Sequence, residues 1–405
     1  MCQFNANKYM DMNNTEILTT KKCIIPWVHI NIEPNGDVRP CNQSNFDCSP
    51  LGNVNKEDIK DIWNGENYKR IRQQMIDGIE PKECLGCYRA EQKFSNPLAS
   101  KRFRETKKWM QYWDRTNTVE AEFKIPYVDL RYSNICNFKC RSCGPDASHA
   151  IAVELKIEPQ ILRFKLDSVS EMLDENIQFL EEIYFIGGEP LLMEEHYVLL
   201  QKLIDAGNTN VKIRYNSNIS KLKFKNIDVV EMWKYFNNIH INASVDHYGE
   251  KLEYIRHGAS WVETLENLKT LKALPNVTLH IHCLLSVFNI MDITDIMQKF
   301  FDLNIVSSRT FILCNLDNPS YYSIQALHPD LQIISKERIE DFLNDTPNIH
   351  IQLRSYLEHV VDTILKDNQW ASNCQKFKKV TTNLDSIRGE DFLNTFPDLG
   401  KQLHE

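Results

Sequence analysis

The sequence predicts an α/β protein: a parallel sheet of six βα units, preceded by a small α+β module and followed by a helical extension. Three observations carry this. Six apolar runs alternate with helical segments of about 10–15 residues, the pattern of βα units. They read IPYVDLR (125–131), EEIYFI (181–186), VKIRYNSN (211–218), HINASVD (240–246), VTLHIHCLLS (277–286) and RTFILCNL (309–316). Polar or glycine-rich residues fall at the C-terminal ends of several of these runs, where parallel α/β folds place their chemistry. The cysteines gather in two separate sets, one ahead of the first run and one just after it.

With 405 residues the chain is long enough for two domains. Hydrophobic residues make up 42% and charged residues 25%, ordinary for a globular protein, and the net charge of -8 disfavours a general nucleic-acid binder. No apolar run approaches the roughly eighteen residues that a membrane span needs, and the N-terminus lacks a signal-like stretch. The expectation is a cytoplasmic protein without a membrane partner. In a reducing compartment its twelve cysteines point to metal ligands or free thiols rather than disulfides.

In chain order, residues 1–20 read as a polar tail. Ile30 and Ile32 alternate with Asn31 and Glu33 before Pro34-Asn35-Gly36-Asp37, and Val38 follows, which predicts a β-hairpin closed by an Asn-Gly turn. Cys23 and Cys41 lie at its outer ends. Ile59, Ile62, Trp63, Tyr68, Ile71 and Met75 recur at helical spacing, predicting a helix that ends near Gly78. Cys84 and Cys87 then form a C-x2-C knuckle. Hairpin, helix and knuckle make a compact unit over residues 21–95 with four thiols: Cys23, Cys41, Cys84 and Cys87. Four cysteines also suit structural zinc, and that alternative stays open; Cys48 reads as a bystander.

Residues 96–122 carry the basic, aromatic stretch SKRFRETKKWMQYWDR. It reads as a linker helix with solvated charges, with Phe103, Trp109 and Trp113 facing inward. The six βα units span residues 123–328. The loop after the first strand, YSNICNFKCRSC, holds Cys136, Cys140 and Cys143 in the spacing C-x3-C-x2-C. Three thiols are one short of a closed tetrahedral site and suit a metal centre with an open position. The bland alternative is three buried cysteines serving as small hydrophobes. The second strand runs into Gly187-Gly188-Glu189. Glycines there let backbone approach a ligand, and a carboxylate can accept from an ammonium group. From residue 329 to 405 the chain reads as helices followed by a polar segment carrying Cys374, an extension expected to close the open side of the sheet.

The C-x3-C-x2-C run resembles the signature of the radical S-adenosylmethionine (radical SAM) superfamily. The resemblance implies a partial (β/α)6 TIM-like barrel. It implies that Cys136, Cys140 and Cys143 hold a [4Fe-4S] cluster whose open iron chelates S-adenosyl-L-methionine (SAM), and that reductive cleavage yields a hydrogen-abstracting 5′-deoxyadenosyl radical. Gly187, Gly188 and Glu189 are similar to the family's GGE motif, which contacts the SAM amino group. Asn218 and Ser244, at the ends of the third and fourth strands, stand where the family uses polar residues. Arg256 could pair with the SAM carboxylate. Ser142 departs from the pattern, since many members carry an aromatic residue before the third cysteine.

The four upstream thiols resemble the family's half-SPASM or "twitch" domain, which binds an auxiliary iron-sulfur cluster and here precedes the barrel. The function implied is a radical SAM oxidoreductase modifying a peptide or protein, with a flavodoxin- or ferredoxin-like reductase as electron donor. Dehydrogenation or epimerisation of a small polar molecule, such as a sugar or aminoglycoside, is the alternative. A redox sensor or scaffold is the non-enzyme reading. His280, His282, Cys283 and Cys314 read as core or lumen lining, and nothing in the sequence selects a general base among them.

Overall fold

The computed structural model describes residues 20–93 and 100–404. The polar tail therefore lies outside the described residues except for Thr20, as do residues 94–99 around the junction of the cysteine unit and the linker. Thirteen strands are present among the described residues. In chain order they are β1 (His29–Ile32), β2 (Asp37–Arg39), β3 (Gly52–Asn53), β4 (Tyr127–Leu130), β5 (Lys139–Cys140), β6 (Glu182–Phe185), β7 (Lys212–Ser217), β8 (Lys223–Phe224), β9 (Ile227–Asp228), β10 (Ile239–Ser244), β11 (Arg256–His257), β12 (Val277–Leu285) and β13 (Phe311–Asn315). All six apolar runs are strands: β4, β6, β7, β10, β12 and β13. The fold is α/β with a largely parallel sheet and a helical C-terminal part. No helix among the described residues is long and apolar enough to cross a membrane.

The chain divides into two compact units. The first takes the chain up to Asn134, then Ile161–Arg214 and Tyr235–Asn237. Its hairpin pairs β1 with β2 antiparallel, Asn31 opposite Arg39, and β3 continues the meander. On its other edge β1 pairs in parallel with β4, His29 beside Tyr127 and Ile32 beside Leu130, and β4 pairs in parallel with β6. The hairpin thus extends a parallel sheet. His29 stacks on Tyr127 at 4.0 Å, which ties the two strands on one face.

The expected single helix before Gly78 is two, Ile59–Trp63 and Glu66–Ile76. A Cβ at Gly65 would meet the Asp61 carbonyl at 2.8 Å, and the Asn64 side chain is held by Arg72 and by the Ala121 carbonyl, so the chain turns there. Ile62, Trp63, Tyr68, Ile71 and Met75 are all buried, as the spacing predicts. The linker differs from expectation. Helix Lys101–Lys108 buries Lys101, Arg102, Glu105 and Thr106 along with Phe103, so part of its charge faces the interior.

The second unit takes Ile135–Gln160, Tyr215–Lys234 and Asn238–Glu405. Within it β10, β12 and β13 run parallel, with Ser244 beside His282 and Leu284 beside Cys314. Leu279, Ile281, Cys283 and Leu285 of β12 are buried, whereas His280, His282 and Leu284 on the opposite face are only partly so. Helices Pro329–Asp345 and Ile351–Lys366 follow as expected. The segment with Cys374, read only as polar, is the 19-residue helix Trp370–Arg388, which buries Asn373, Phe377, Thr381 and Leu384. Its apolar residues are sparse, which is why its periodicity did not stand out.

Candidate functional site

The cysteine loop belongs to the second unit. β5 pairs antiparallel with β11, setting Cys140 opposite Arg256 and Lys139 opposite His257. Arg256 is buried, lies 2.9 Å from the Asp246 carboxylate and donates from Nη1 to Cys140 Sγ at 3.7 Å. Asp246 is fixed in turn, because its Oδ1 accepts from the Leu284 amide at 2.8 Å. Asn218 donates to Asn137 Oδ1 at 3.0 Å and to Cys136 Sγ at 3.9 Å. The Cys136 amide donates to His149 Nδ1 at 3.1 Å. Phe138 is buried against Cys136 and Cys140.

Cys136 and Cys140 are buried and Cys143 is exposed. The hydrogen bond shared by Cys140 and Cys143 pushes the first thiol above its ordinary pKa and the second below it. Burial adds to the rise at Cys140, while the Arg256 guanidinium favours the thiolate of both. A nearby cation beside thiols suits anionic sulfur ligands. Ser244 ends β10 two residues before Asp246, beside His282. The unit thus brings the three cysteines, Asn218 and Arg256 together.

Arg141, between the second and third cysteines, was not foreseen as important. Its side chain is fully buried and bonds Asp385 and Glu390, both at 2.5 Å, while its guanidinium lies 3.8 Å from the centre of the Tyr254 ring. Glu390 also pairs with His257 at 2.6 Å, and Arg388 and Lys139 share Glu154. The end of helix Trp370–Arg388 and the turn after it therefore brace the cysteine loop.

Gly187, Gly188 and Glu189 belong to the first unit, directly after β6. Gly187 has φ +96°, and a Cβ there would meet Arg131 Cβ at 3.0 Å and the Ser133 carbonyl at 3.2 Å, so only glycine fits. Glu189 is buried, and its Oε1 caps the following turn by accepting from the Leu191 amide at 3.1 Å.

Cys23, Cys41, Cys84 and Cys87, also in the first unit, line one cavity together with Tyr88, Lys101 and Arg102. Burial raises the thiol pKa of Cys23, Cys41 and Cys84, and the neighbouring cysteines raise it further. As protein-only thiolates they would be costly; bound to iron, their charge is compensated. Among the described residues no group of three or more His, Cys, Asp or Glu side chains is already arranged to hold a metal ion. A cubane, which spreads its thiolates over four irons, fits thiols arrayed around a cavity. Lys101 and Arg102 carry positive charge to the same cavity. Cys48 sits on the loop beyond, its carbonyl accepting from Arg39 at 3.1 Å.

Asp129 on β4 was also missed. It is completely buried beside Asn31, and neither carboxylate oxygen has a hydrogen-bond partner. Burial pushes its pKa up to about 6, against the opposing pull of Arg131 and Lys101. A carboxylate inside the apolar run IPYVDLR was the available signal.

Comparison with known proteins gives two family matches. Residues 130–300 match the model of the radical SAM superfamily, and residues 23–88 match that of SPASM, an iron-sulfur cluster-binding domain. Among solved structures, native anSMEcpe with bound AdoMet is 17% identical with a TM-score of 0.40, covering 54% of this chain and 61% of that one. Native anSMEcpe with bound AdoMet and Cp18Cys peptide is 18% identical with a TM-score of 0.37, again over 54% and 61%. A structure of TYW1 with a lysine-pyruvate adduct bound is 16% identical with a TM-score of 0.27, over 53% and 71%. The matched region thus spans about three-fifths of the anSMEcpe chains. No curated protein matches the chain. The two family matches bring their cofactors with them: a [4Fe-4S] cluster and SAM for the one, auxiliary iron-sulfur binding for the other. Residues 130–300 are thus a radical SAM domain, with a SPASM-type iron-sulfur cluster-binding domain, residues 23–88, ahead of it.

Proposed function

We propose that this chain is a radical SAM enzyme in which Cys136, Cys140 and Cys143 hold the SAM-binding [4Fe-4S] cluster and Cys23, Cys41, Cys84 and Cys87 hold an auxiliary one. The carrying observation is the thiol loop with Arg256 and Asn218 against its sulfurs, in a domain of that superfamily. When bound, cluster and SAM supply a radical able to abstract hydrogen from an unactivated carbon. The chain's own residues do the rest. Arg256 compensates thiolate charge, Asp246 orients Arg256, and Arg141 with Asp385 fixes the loop. Gly187, Gly188, Glu189, Asn218, Ser244 and Arg256 are the proposed SAM contacts. Because Arg256 is already engaged by Asp246, its share in holding the SAM carboxylate is the least direct of these.

The substrate class proposed first is a peptide or protein, oxidatively modified with the auxiliary cluster as electron acceptor and a flavodoxin- or ferredoxin-like reductase in the cytoplasm as donor. The SPASM match supports it. The second reading, oxidation or epimerisation of a small polar molecule, is favoured by the half-buried polar face of the second unit. There Asn242 donates to Asn216 at 2.8 Å and His240 stacks on His280 at 6.1 Å. Such a surface suits a hydroxyl-rich ligand.

The test is anaerobic reconstitution with iron, sulfide, SAM and dithionite. 5′-Deoxyadenosine is expected; its absence with both clusters intact by EPR overturns the reading. Deuterated peptides and deuterated sugars, offered in turn, decide the substrate class by which one delivers deuterium to 5′-deoxyadenosine.

A further inference from the structure

Two cysteines on neighbouring strands of the second unit have opposite surroundings. Cys283 of β12 is fully buried, its thiol pointing to the Asp246 carbonyl and meeting Asn289, as a packing cysteine does. Cys314 of β13 is only partly buried and faces the other way. Register explains it: Ser244 lies beside His282 and Leu284 beside Cys314, so Ser244, His282, Leu284 and Cys314 share the face that Cys283 does not. On that face His282 Nε2 stands 3.1 Å from Cys314 Sγ.

This face adjoins the cysteine loop through a chain of contacts inside one unit. Cys140 Sγ meets Arg256, Arg256 meets Asp246, and Asp246 accepts from the amide of Leu284, two residues past His282. The His282 carbonyl accepts from the Val245 amide at 3.2 Å, next to Ser244.

We propose that Cys314 and His282 form a thiol–imidazole acid–base pair on the SAM side of the sheet, which accepts one proton from a polar substrate as that substrate is oxidised. This rests on reading the cysteine loop as the SAM site. The step moves a proton only: a substrate O–H or N–H bond breaks heterolytically, an N–H bond forms on the imidazole, and no electron enters the pair. A base of this kind must be neutral before it acts. Burial lowers the pKa of His282, Arg256 lowers it further, and Asp246 opposes both. The charge state of Cys314 is felt by Cys283, on the opposite face of β12, and by Tyr356 on helix Ile351–Lys366. A neutral imidazole 3.1 Å from a thiol can take that thiol's proton in place of a substrate's, so the reactivity of Cys314 reads the basicity of His282 without any substrate.

The experiment is site-resolved alkylation of the reconstituted holoprotein by iodoacetamide under anaerobic conditions, read by peptide mass spectrometry, with a short unstructured cysteine peptide in the same tube as reference. At pH 7, Cys314 is expected to label faster than the reference, His282→Gln to slow it about tenfold, and saturating SAM to slow it again. Equal rates at Cys314 in wild type and His282→Gln overturn the pair. Enhanced labelling indifferent to SAM overturns its placement. Should His282→Gln fail to fold, the wild-type pH profile from 6 to 9 decides, since a Cys314 profile parallel to the reference peptide overturns the pairing. 5′-Deoxyadenosine formation, measured on the same preparation, reports on the SAM reading separately: its absence beside enhanced Cys314 labelling sinks that reading, not the pairing.

Discussion

Arg141 and Asp385 lie 244 residues apart in sequence, yet the guanidinium of the first bonds the carboxylate of the second at 2.5 Å. Arg141 stands between two proposed cluster ligands, and Asp385 ends the helix Trp370–Arg388, where it also accepts from Tyr254 at 2.7 Å and from the Phe392 amide at 2.9 Å. A shared carboxylate of this kind fixes a loop to a rigid element.

Breaking that pair leaves the buried Arg141 charge with Glu390 as its remaining carboxylate partner. Asp385→Ala is expected to cost about 1–3 kcal/mol of stability in denaturant titrations and to lower iron content after reconstitution. The pair of substitutions Arg141→Met and Asp385→Leu is expected to recover most of the stability. An unchanged midpoint for Asp385→Ala would contradict the bracing role.

The two cysteine sets are expected to act independently. Cys84→Ala with Cys87→Ala should remove roughly half of about eight irons per chain and leave SAM cleavage. Cys140→Ala with Cys143→Ala should remove the other half and abolish cleavage. Iron and zinc analysis of each purified variant checks this, and one zinc per chain that is lost only with Cys84 and Cys87 would replace the auxiliary cluster with a structural metal.

Lys101 is buried, lines the four-thiol cavity and hydrogen-bonds Asn42. Its positive charge favours the more negative, reduced form of a cluster there. Lys101→Met is therefore expected to lower the auxiliary midpoint potential by on the order of 50 mV, with Lys101→Arg close to wild type. EPR-monitored redox titration reads both, and a potential indifferent to Lys101→Met would rule the charge out.

Asp129 makes stability depend on pH. Its carboxyl is raised from the ordinary 3.8 to about 6 in the native state, so the ionised form is the costly one. The native state is favoured at low pH and loses that contribution as pH climbs to about 6. Asp129→Asn should then be more stable than wild type by up to about 3 kcal/mol at pH 8, the difference shrinking toward pH 4. Parallel pH profiles for the two proteins would show that Asp129 is neutralised by other means.

The βα alternation, the hairpin at Asn35-Gly36 and both cysteine sets were legible because each is written in local spacing. Apolar periodicity follows from which face a strand buries, and Gly187 follows from a steric demand within a few residues. What local spacing misread was the charge of the linker. Lys101 and Arg102 resemble a solvated run, whereas Lys101 lines the four-thiol cavity and Arg102 forks onto Glu91 and donates to the carbonyls of Thr20 and Lys22. The split of the helix at Gly65 was equally hidden, since it depends on Arg72 and Ala121 holding Asn64.

By itself, the sequence determined the α/β class, the thiol inventory and the family resemblance, all of which depend on residues close together in the chain. Tertiary structure alone decided that Arg256 faces Cys140, that Asp385 holds Arg141, and that His282 meets Cys314 while its neighbour Cys283 turns into the core. Those pairings join residues from 32 to 244 positions apart. Strand register and the docking of a distant helix set them, and neither leaves a periodic trace in the sequence.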